Sequence, residues 1–591
     1  MKTIEKINHL RDLMKRNRID AYIIPSSDPH ISEYLPDFWK SRSWLSGFTG
    51  SAGTLVVTLK KTALWTDSRY FIQAENQLSG SGIDLCKLGL PETPSIETWI
   101  ASELKKNNVV GFDGNVFQTT LAKNILDALQ KQGIESNPNL DLITPIWKDR
   151  PDLPKGKAFM HELRYSGKSV SEKLTEVRKV MQQKGATAYV ICALDEVCWL
   201  FNIRGNDISY NPVALGYGFI NNEKAILYID TKKIDEHLAN ELDEQGVTIK
   251  QYDKIKRRFG KLDKNDTIYI DPSRTNYFLY SSIPCKVKKM EGIGIVTELK
   301  AHKNSIELEG IRNAMVEDGV AMSEFLYWLE SNIGKIKITE LSAAEKLAEF
   351  RGKRNEFVSE SFSPIVGYAD HGAIVHYGAT KESDYEIKPK GFLLIDSGGQ
   401  YKNGTTDITR TIHLSNPTDE EKLDYTMVLK GNIQLAMAKF PVGTRGSQLD
   451  TLARMAMWNK GINYGHGTGH GVGCFLNVHE GPMQIRPDNF LPIEVGEVIS
   501  NEPGLYKTGK HGIRTENLIT CIPDVENEFG KFLKFETLTL CPIDTKPIKV
   551  DAMRPEEKEW LNDYHNIVYE RISPFLKGES KTWLKEKTKK I

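Results

Sequence analysis

The chain has 591 residues, 40% apolar and 26% charged, a balance that excludes a disordered or collagen-like protein. Lys+Arg and Asp+Glu both number 78, so the formal net charge is zero and neither a nucleic acid nor an anionic membrane is an expected partner. No run of about 18 apolar residues occurs, and Met1–Ile7 lacks the apolar core of a signal sequence. The seven cysteines, at 86, 192, 198, 285, 474, 521 and 541, include no Cys-x-x-Cys pair. Buried free thiols in a reducing cytoplasm are therefore expected, not a disulfide framework or a zinc knuckle.

In chain order, Ile4, Ile7, Leu10, Leu13 and Met14 mark a helical face, and Asp20–Pro25 reads as a buried strand. The loop Gly47–Gly53 lacks the Lys-Ser/Thr ending of a phosphate-binding loop, so a tight turn is expected. Gly53–Thr58 and Ala63–Thr66 read as strands. The theme returns 167 residues later. Leu174, Val177, Val180 and Met181 mark a helix over 170–184, then come the strand-like runs Thr187–Cys192, Gly216–Ile220 and Ala225–Ile229. Two related α/β domains in tandem are expected, over 1–152 and 153–303. Between them Pro145–Pro154 holds three prolines, which resist continuing helix or sheet.

A second boundary falls near Leu299–Asn304. Beyond it, Ser305–Glu330 carries Ile311, Met315, Met322, Phe325, Leu326 and Leu329 on one side, an amphipathic helix. It opens the largest domain, 304–591. The tail from Arg554 is helical in pattern, and its lysine-rich end, 581–590, is expected to be a solvated, partly frayed helix.

Within this last domain, residues 464–482 set His466, His470 and His479 among glycines. Glycine lets backbone approach a ligand closely, and imidazole can carry a proton or bind a metal. Acids flank the stretch. Phe392–Asp396 reads as a buried strand that delivers a carboxylate to a glycine turn, and Asp407 follows eleven residues later on the alternating strand Thr405–Ile412. A hairpin would bring Asp396 and Asp407 together. Glu502 again stands at a strand end, with Glu516 fourteen residues on inside a strand. Two Asp, two Glu and one His are an oxygen-rich set that suits two divalent ions such as Mn²⁺, with Co²⁺, Fe²⁺ or Zn²⁺ as alternatives.

The order Asp396, Asp407, His470, Glu502, Glu516 resembles the dinuclear site of the pita-bread metallopeptidases. The words Gly404–His413, His466–Gly473, Asn477–Pro482 and Asn501–Gly504 resemble the long, three-domain, cytosolic form of the aminopeptidase P family, as does Trp65–Phe71 near the start. The resemblance implies two creatinase-N-like α/β domains before a pita-bread catalytic domain, two manganese ions and a homodimer. It implies metal ligation by Asp396, Asp407, His470, Glu502 and Glu516, with Asp407 and Glu516 bridging. It gives His376, His466 and His479 substrate-binding and proton-handling roles, and associates Arg69 with substrate. Family members usually have Asp before Glu-Pro-Gly; Asn501 stands there here, at a position that is not a ligand.

The implied reaction removes an N-terminal residue when proline follows it. In the expected mechanism a metal-bridging hydroxide would attack the carbonyl, the metals with His376 or His479 would stabilise the oxyanion, and Glu502, with the histidines as rivals, is the candidate to pass the proton to the proline nitrogen. The alternatives are a prolidase restricted to dipeptides and a non-catalytic peptide-binding relative. His371, His413 and His511 have no assigned role.

Overall fold

The strand Ala21–Pro25 is buried at every position, as an unbroken apolar run flanked by polar residues requires. It lies in the middle of a six-stranded sheet whose order is Asp84–Lys87, Thr62–Thr66, Thr54–Thr58, Ala21–Pro25, Val109–Phe112, Glu135–Asn137. Ala21–Pro25 runs antiparallel to Thr54–Thr58 and parallel to Val109–Phe112. The helix Thr3–Arg16 packs Ile7, Leu10 and Met14 into the core. Ile4 departs from the expected face and is 47% exposed, because it sits in the first helical turn beyond the edge of the core.

A second sheet repeats the first strand for strand: Val247–Gln251, Ala225–Ile229, Gly216–Asn221, Ala188–Ile191, Thr267–Ile270, Lys288–Glu291. The directions repeat too, with Ala188–Ile191 antiparallel to Gly216–Asn221 and parallel to Thr267–Ile270. Its leading helix Val170–Lys184 is capped by a Ser169/Glu172 capping box and ends at Gly185, whose φ of +74° suits only glycine well. The tandem α/β reading of the sequence is thus matched in topology.

This computed structural model describes residues 1–591. The chain divides into two compact units: Met1–His161 with Lys168–Glu298, and Glu162–Gly167 with Leu299–Ile591. No helix is long and apolar enough to cross a membrane. All seven cysteines are free; five are buried, Cys86 is half-buried and Cys285 is exposed.

The main segment of the second unit carries the long helix Ser305–Asn332, capped by Asn304 with Glu307. All six apolar positions singled out on it are buried. A six-stranded sheet follows the order Lys439–Pro441, Gly530–Thr537, Asn517–Asn527, Val498–Asn501, Gly469–Gly471, Glu480–Ile485. A three-stranded sheet joins Ile365–Tyr368, Phe392–Ser397 and Ile408–His413. Two strand expectations need correction. The run Thr405–Ile412 breaks at Thr406 and Asp407, and Glu516, expected inside a strand, lies with Thr515 in a break between the strands His511–Arg514 and Asn517–Asn527. The acids therefore sit in gaps between strands, where the side chain is released from the alternation of the pleat. The C-terminal helix Gly578–Lys587 is docked, not frayed: Leu584 is buried, and Trp583 and Lys587 both bond Glu330.

Candidate active site

Antiparallel pairing gathers the acids. Asp396 stands opposite Thr409 in one ladder, and Asn501 stands opposite Asn517 in the other, each one residue from a glutamate. The Glu516 N–H donates to the Thr409 carbonyl at 3.1 Å, which stitches the two ladders together. The Glu502 N–H donates to the Thr468 carbonyl at 2.8 Å, drawing in the glycine–histidine stretch.

Ligand-type atoms of Asp407, His470 and Glu516 lie within 4.8 Å of one another. His470 Nε2 is 3.5 Å from Asp407 Oδ2 and 3.7 Å from Glu502 Oε1. Its Nδ1 lies 3.0 Å from the Gly471 carbonyl, which can only accept. Nδ1 therefore carries the proton, and the Nε2 lone pair faces the acids, the tautomer a metal ligand needs.

Asp396, Asp407 and Glu516 are buried; Glu502 is half-buried. Burial first, then the charges of Asp396 and Glu502, push the Asp407 carboxyl well above the usual range. Burial, then Asp407 and Asp396, do the same to Glu516. Glu502 is pushed up to about 8 by burial and then by Glu516. Asp396 Oδ1 and Glu516 Oε1 are buried and accept no hydrogen bond. Buried carboxylates that repel one another and keep oxygens without donors fit divalent cations, and a set of hard oxygens with one imidazole fits Mn²⁺-type ions better than thiophilic ones.

His479 adjoins this cluster through His470, and His466 is tied to the Tyr506 hydroxyl that Arg514 also bonds. His466 Nδ1 lies 2.7 Å from the Gly467 carbonyl and Nε2 lies 2.8 Å from the Tyr506 hydroxyl. His479 meets His470 edge to face, ring centroids 4.3 Å apart. His376 lies in a turn beside Val375, whose carbonyl accepts from Arg514 Nη2 at 3.5 Å. Arg69 belongs to the other unit and forks onto Asp67, with both bonds at 2.8 Å. Asn501 faces away from the acids, exchanging amide-to-carbonyl bonds of 2.8 Å with Asn432.

Sequence reading missed Arg514. Its Nη2 donates to Asp396 Oδ2 at 2.5 Å, Nη1 to the Tyr506 hydroxyl at 2.7 Å and Nε to Thr409 Oγ1 at 3.2 Å. Thr409 Oγ1 in turn donates to Glu516 Oε2 at 2.8 Å. A signal existed: an arginine at the buried end of the strand His511–Arg514, two residues before Glu516, needs a buried anionic partner.

The creatinase/prolidase N-terminal domain is matched twice, over residues 6–143 and 149–307. Metallopeptidase family M24 is matched over 309–522 and its C-terminal region over 531–591. A probable Xaa-Pro aminopeptidase P of Botryotinia fuckeliana is 40% identical, covering 98% of this chain and 92% of its own. Aminopeptidase P2 of Arabidopsis thaliana is 39% identical, covering 99% and 88%. The crystal structure of X-prolyl aminopeptidase from Caenorhabditis elegans, described as a cytosolic enzyme with a di-nuclear active site, superposes with a TM-score of 0.96 at 36% identity, covering 100% of both chains. Two creatinase-type α/β domains followed by a catalytic M24 domain are thus the architecture, in line with the resemblance drawn from the motifs. The chain belongs to metallopeptidase family M24, among the Xaa-Pro aminopeptidase P proteins.

Proposed function

We propose that this chain is a metal-dependent Xaa-Pro aminopeptidase that hydrolyses the bond between an N-terminal residue and a following proline. The observation that carries the reading is His470, whose Nε2 lone pair faces Asp407 and Glu502 among buried carboxylates with unsatisfied oxygens. Asp396, Asp407, His470, Glu502 and Glu516 would hold two divalent ions, and Mn²⁺ is the proposed native metal, with Co²⁺, Fe²⁺ or Zn²⁺ able to substitute. When bound, such ions polarise the scissile carbonyl and lower the pKa of water toward neutrality.

The chain's own residues do the rest. Arg514 and Thr409 orient Asp396 and Glu516. His376 or His479 donates to the peptide carbonyl and stabilises the charge that grows on its oxygen. His466, fixed by Tyr506, contacts the peptide beside them. As a water oxygen joins the carbonyl carbon its proton passes to Glu502, and as the C–N bond breaks Glu502 hands that proton to the proline nitrogen. That nitrogen has no N–H in the substrate, and its ring fixes φ, so recognition works by shape at this position. Arg69 is proposed as a peptide contact.

The proposed partners are peptides with proline second and a second copy of the chain. Met455 and Trp458, 41% and 47% exposed one turn apart on the helix Gly446–Trp458, supply an apolar surface for a homodimer; light scattering measures it. A cytoplasmic location is supported by the seven free thiols. The proposed domain limits are 1–152, 153–303 and 304–591.

The test is a peptide panel assayed on protein of known metal content. Cleavage of Arg-Pro-Pro-type tripeptides, loss of cleavage when Ala replaces the first proline, and loss of metal in Asp407→Asn are expected. Hydrolysis of Xaa-Pro dipeptides only would make the chain a prolidase instead.

A further inference from the structure

His371 takes no part in the acidic cluster, yet its ring is held on three sides. Its side chain is 11% exposed, and that of Glu340, against it, is 0% exposed. Glu340 is the first residue of the helix Glu340–Arg351, where the helix dipole favours an anion. Glu340 Oε1 accepts the Tyr368 N–H at 2.8 Å and the His371 Nδ1–H at 2.9 Å. Oε2 accepts the Tyr377 hydroxyl at 2.9 Å and the Tyr385 N–H at 3.0 Å. The His371 ring is stacked between two tyrosines, 3.6 Å from Tyr385 at 19° and 4.4 Å from Tyr377 at 29°. The main chain is tied at the same place: the Glu340 N–H donates to the Tyr385 carbonyl at 3.1 Å, and the Ile387 N–H to the Ile338 carbonyl at 2.8 Å.

One buried carboxylate thus collects donors from positions 368, 371, 377 and 385 and closes the segment between them into a loop. His376 lies inside that loop, next to Tyr377. The loop's other side is pressed against the strand His511–Arg514. A Cβ on Gly512 would stand 1.6 Å from the Gly372 carbonyl oxygen, so only glycine permits the approach. Two residues on, Arg514 bonds the Val375 carbonyl. A loop clasped at its base and pinned on the arginine that holds Asp396 leaves His376 little freedom.

We propose that Glu340, His371 and Tyr385 form a clasp that positions His376 for the reaction. None of the three touches the acidic cluster; they are positioning residues. The inference rests on the role given to His376 in the proposed function.

The test uses full-length, metal-loaded protein and an Arg-Pro-Pro-type peptide. His371→Ala lowers kcat/KM by about tenfold or more, toward the ~100-fold that a 1 Å misplacement can cost, while bound metal is unchanged. Tyr385→Ala, at a half-exposed ring that can be lost without opening the core, does the same. Tyr385→Phe keeps the ring and the N–H and retains activity. In a His376→Ala background the His371→Ala change alters kcat/KM by less than about twofold, because nothing is left to position. Hydrogen exchange over residues 368–385 rises in His371→Ala, and the Asp396–Thr409 ladder is unaffected. Equal losses in both backgrounds, wild-type activity in His371→Ala, or unaltered exchange over the loop overturns the proposal. Wild-type activity in His376→Ala overturns it together with the part given to His376; additivity on an impaired His376→Ala protein overturns the clasp alone.

Discussion

Arg514 holds Asp396. Its Nη2 reaches Asp396 Oδ2 at 2.5 Å, both side chains lie in the interior, and the two residues are 118 positions apart. The same guanidinium bonds Thr409, and Thr409 bonds Glu516, so one cation orients acids on two separate ladders. Arg514→Lys keeps the charge but loses the fork. Metal affinity is expected to fall by about 10- to 100-fold, the usual cost of losing a partner of a metal ligand. Metal titration followed by kcat/KM checks it.

Thr409→Val keeps the shape of the side chain and removes the hydroxyl between Arg514 and Glu516. Glu516 Oε2 then has no donor. A loss of about 1–2 kcal/mol in unfolding free energy is expected for the orphaned buried group, together with weaker metal binding. Denaturant unfolding with and without added metal separates the two effects.

His470 and His479 are in ring contact, yet opposite outcomes are expected. His470→Ala removes the Nε2 that faces Asp407 and Glu502, so metal content drops. His479→Ala leaves those acids and His470 in place, so metal content holds while kcat falls. Elemental analysis beside turnover decides the assignment; equal metal loss in both variants would refute it.

Removing metal with a chelator should destabilise the fold. The cluster sets Asp396, Asp407, Glu502 and Glu516 close together with Arg514 as the guanidinium bonded among them, and ions that bind only the folded state stabilise it by mass action. Tm is expected to fall on chelation and to recover with Mn²⁺. The Asp407→Asn protein, with one charge fewer, should show a smaller fall.

His565 gives a pH dependence away from the site. Burial and then the Arg410 charge depress its pKa to about 4, and its Nε2 accepts the Ile543 N–H at 3.1 Å. The unfolded chain, near 6.5, takes up the proton first. The stability owed to neutral His565 is therefore complete above pH 6.5 and is lost as pH falls toward 4. Between pH 7 and 5 the loss is about 2 kcal/mol. Unfolding of wild-type protein and His565→Asn at both pH values measures it, and the variant should show the smaller pH slope.

Much of this architecture is legible in the chain. The repeated helix–strand openings at 3–25 and 170–192 announce two copies of one sheet, and the helix from Ser305 declares itself through Ile311, Met315, Met322, Phe325, Leu326 and Leu329. The acids and His470 are carried by short words whose spacing survives in the fold. What escapes is whatever depends on partners distant in sequence. Arg514 looks like any strand arginine until Asp396 is beside it. His371 looks incidental until Glu340, 31 residues earlier, and Tyr385 close on it. The breaks at Asp407 and Glu516 are invisible because alternation continues on either side of each.

Those breaks have a consequence for how the molecule matures. Asp396, Thr409 and Glu516 meet only if the Phe392–Ser397, Ile408–His413 and Asn517–Asn527 strands pair in their native register. A slip of one residue would turn Asp396 to the opposite face of its sheet, away from Arg514. A chain mispaired in this way would have no nest for a cation, so uptake of the proposed ions would reward the correctly threaded molecule and act as a proofreader of strand alignment.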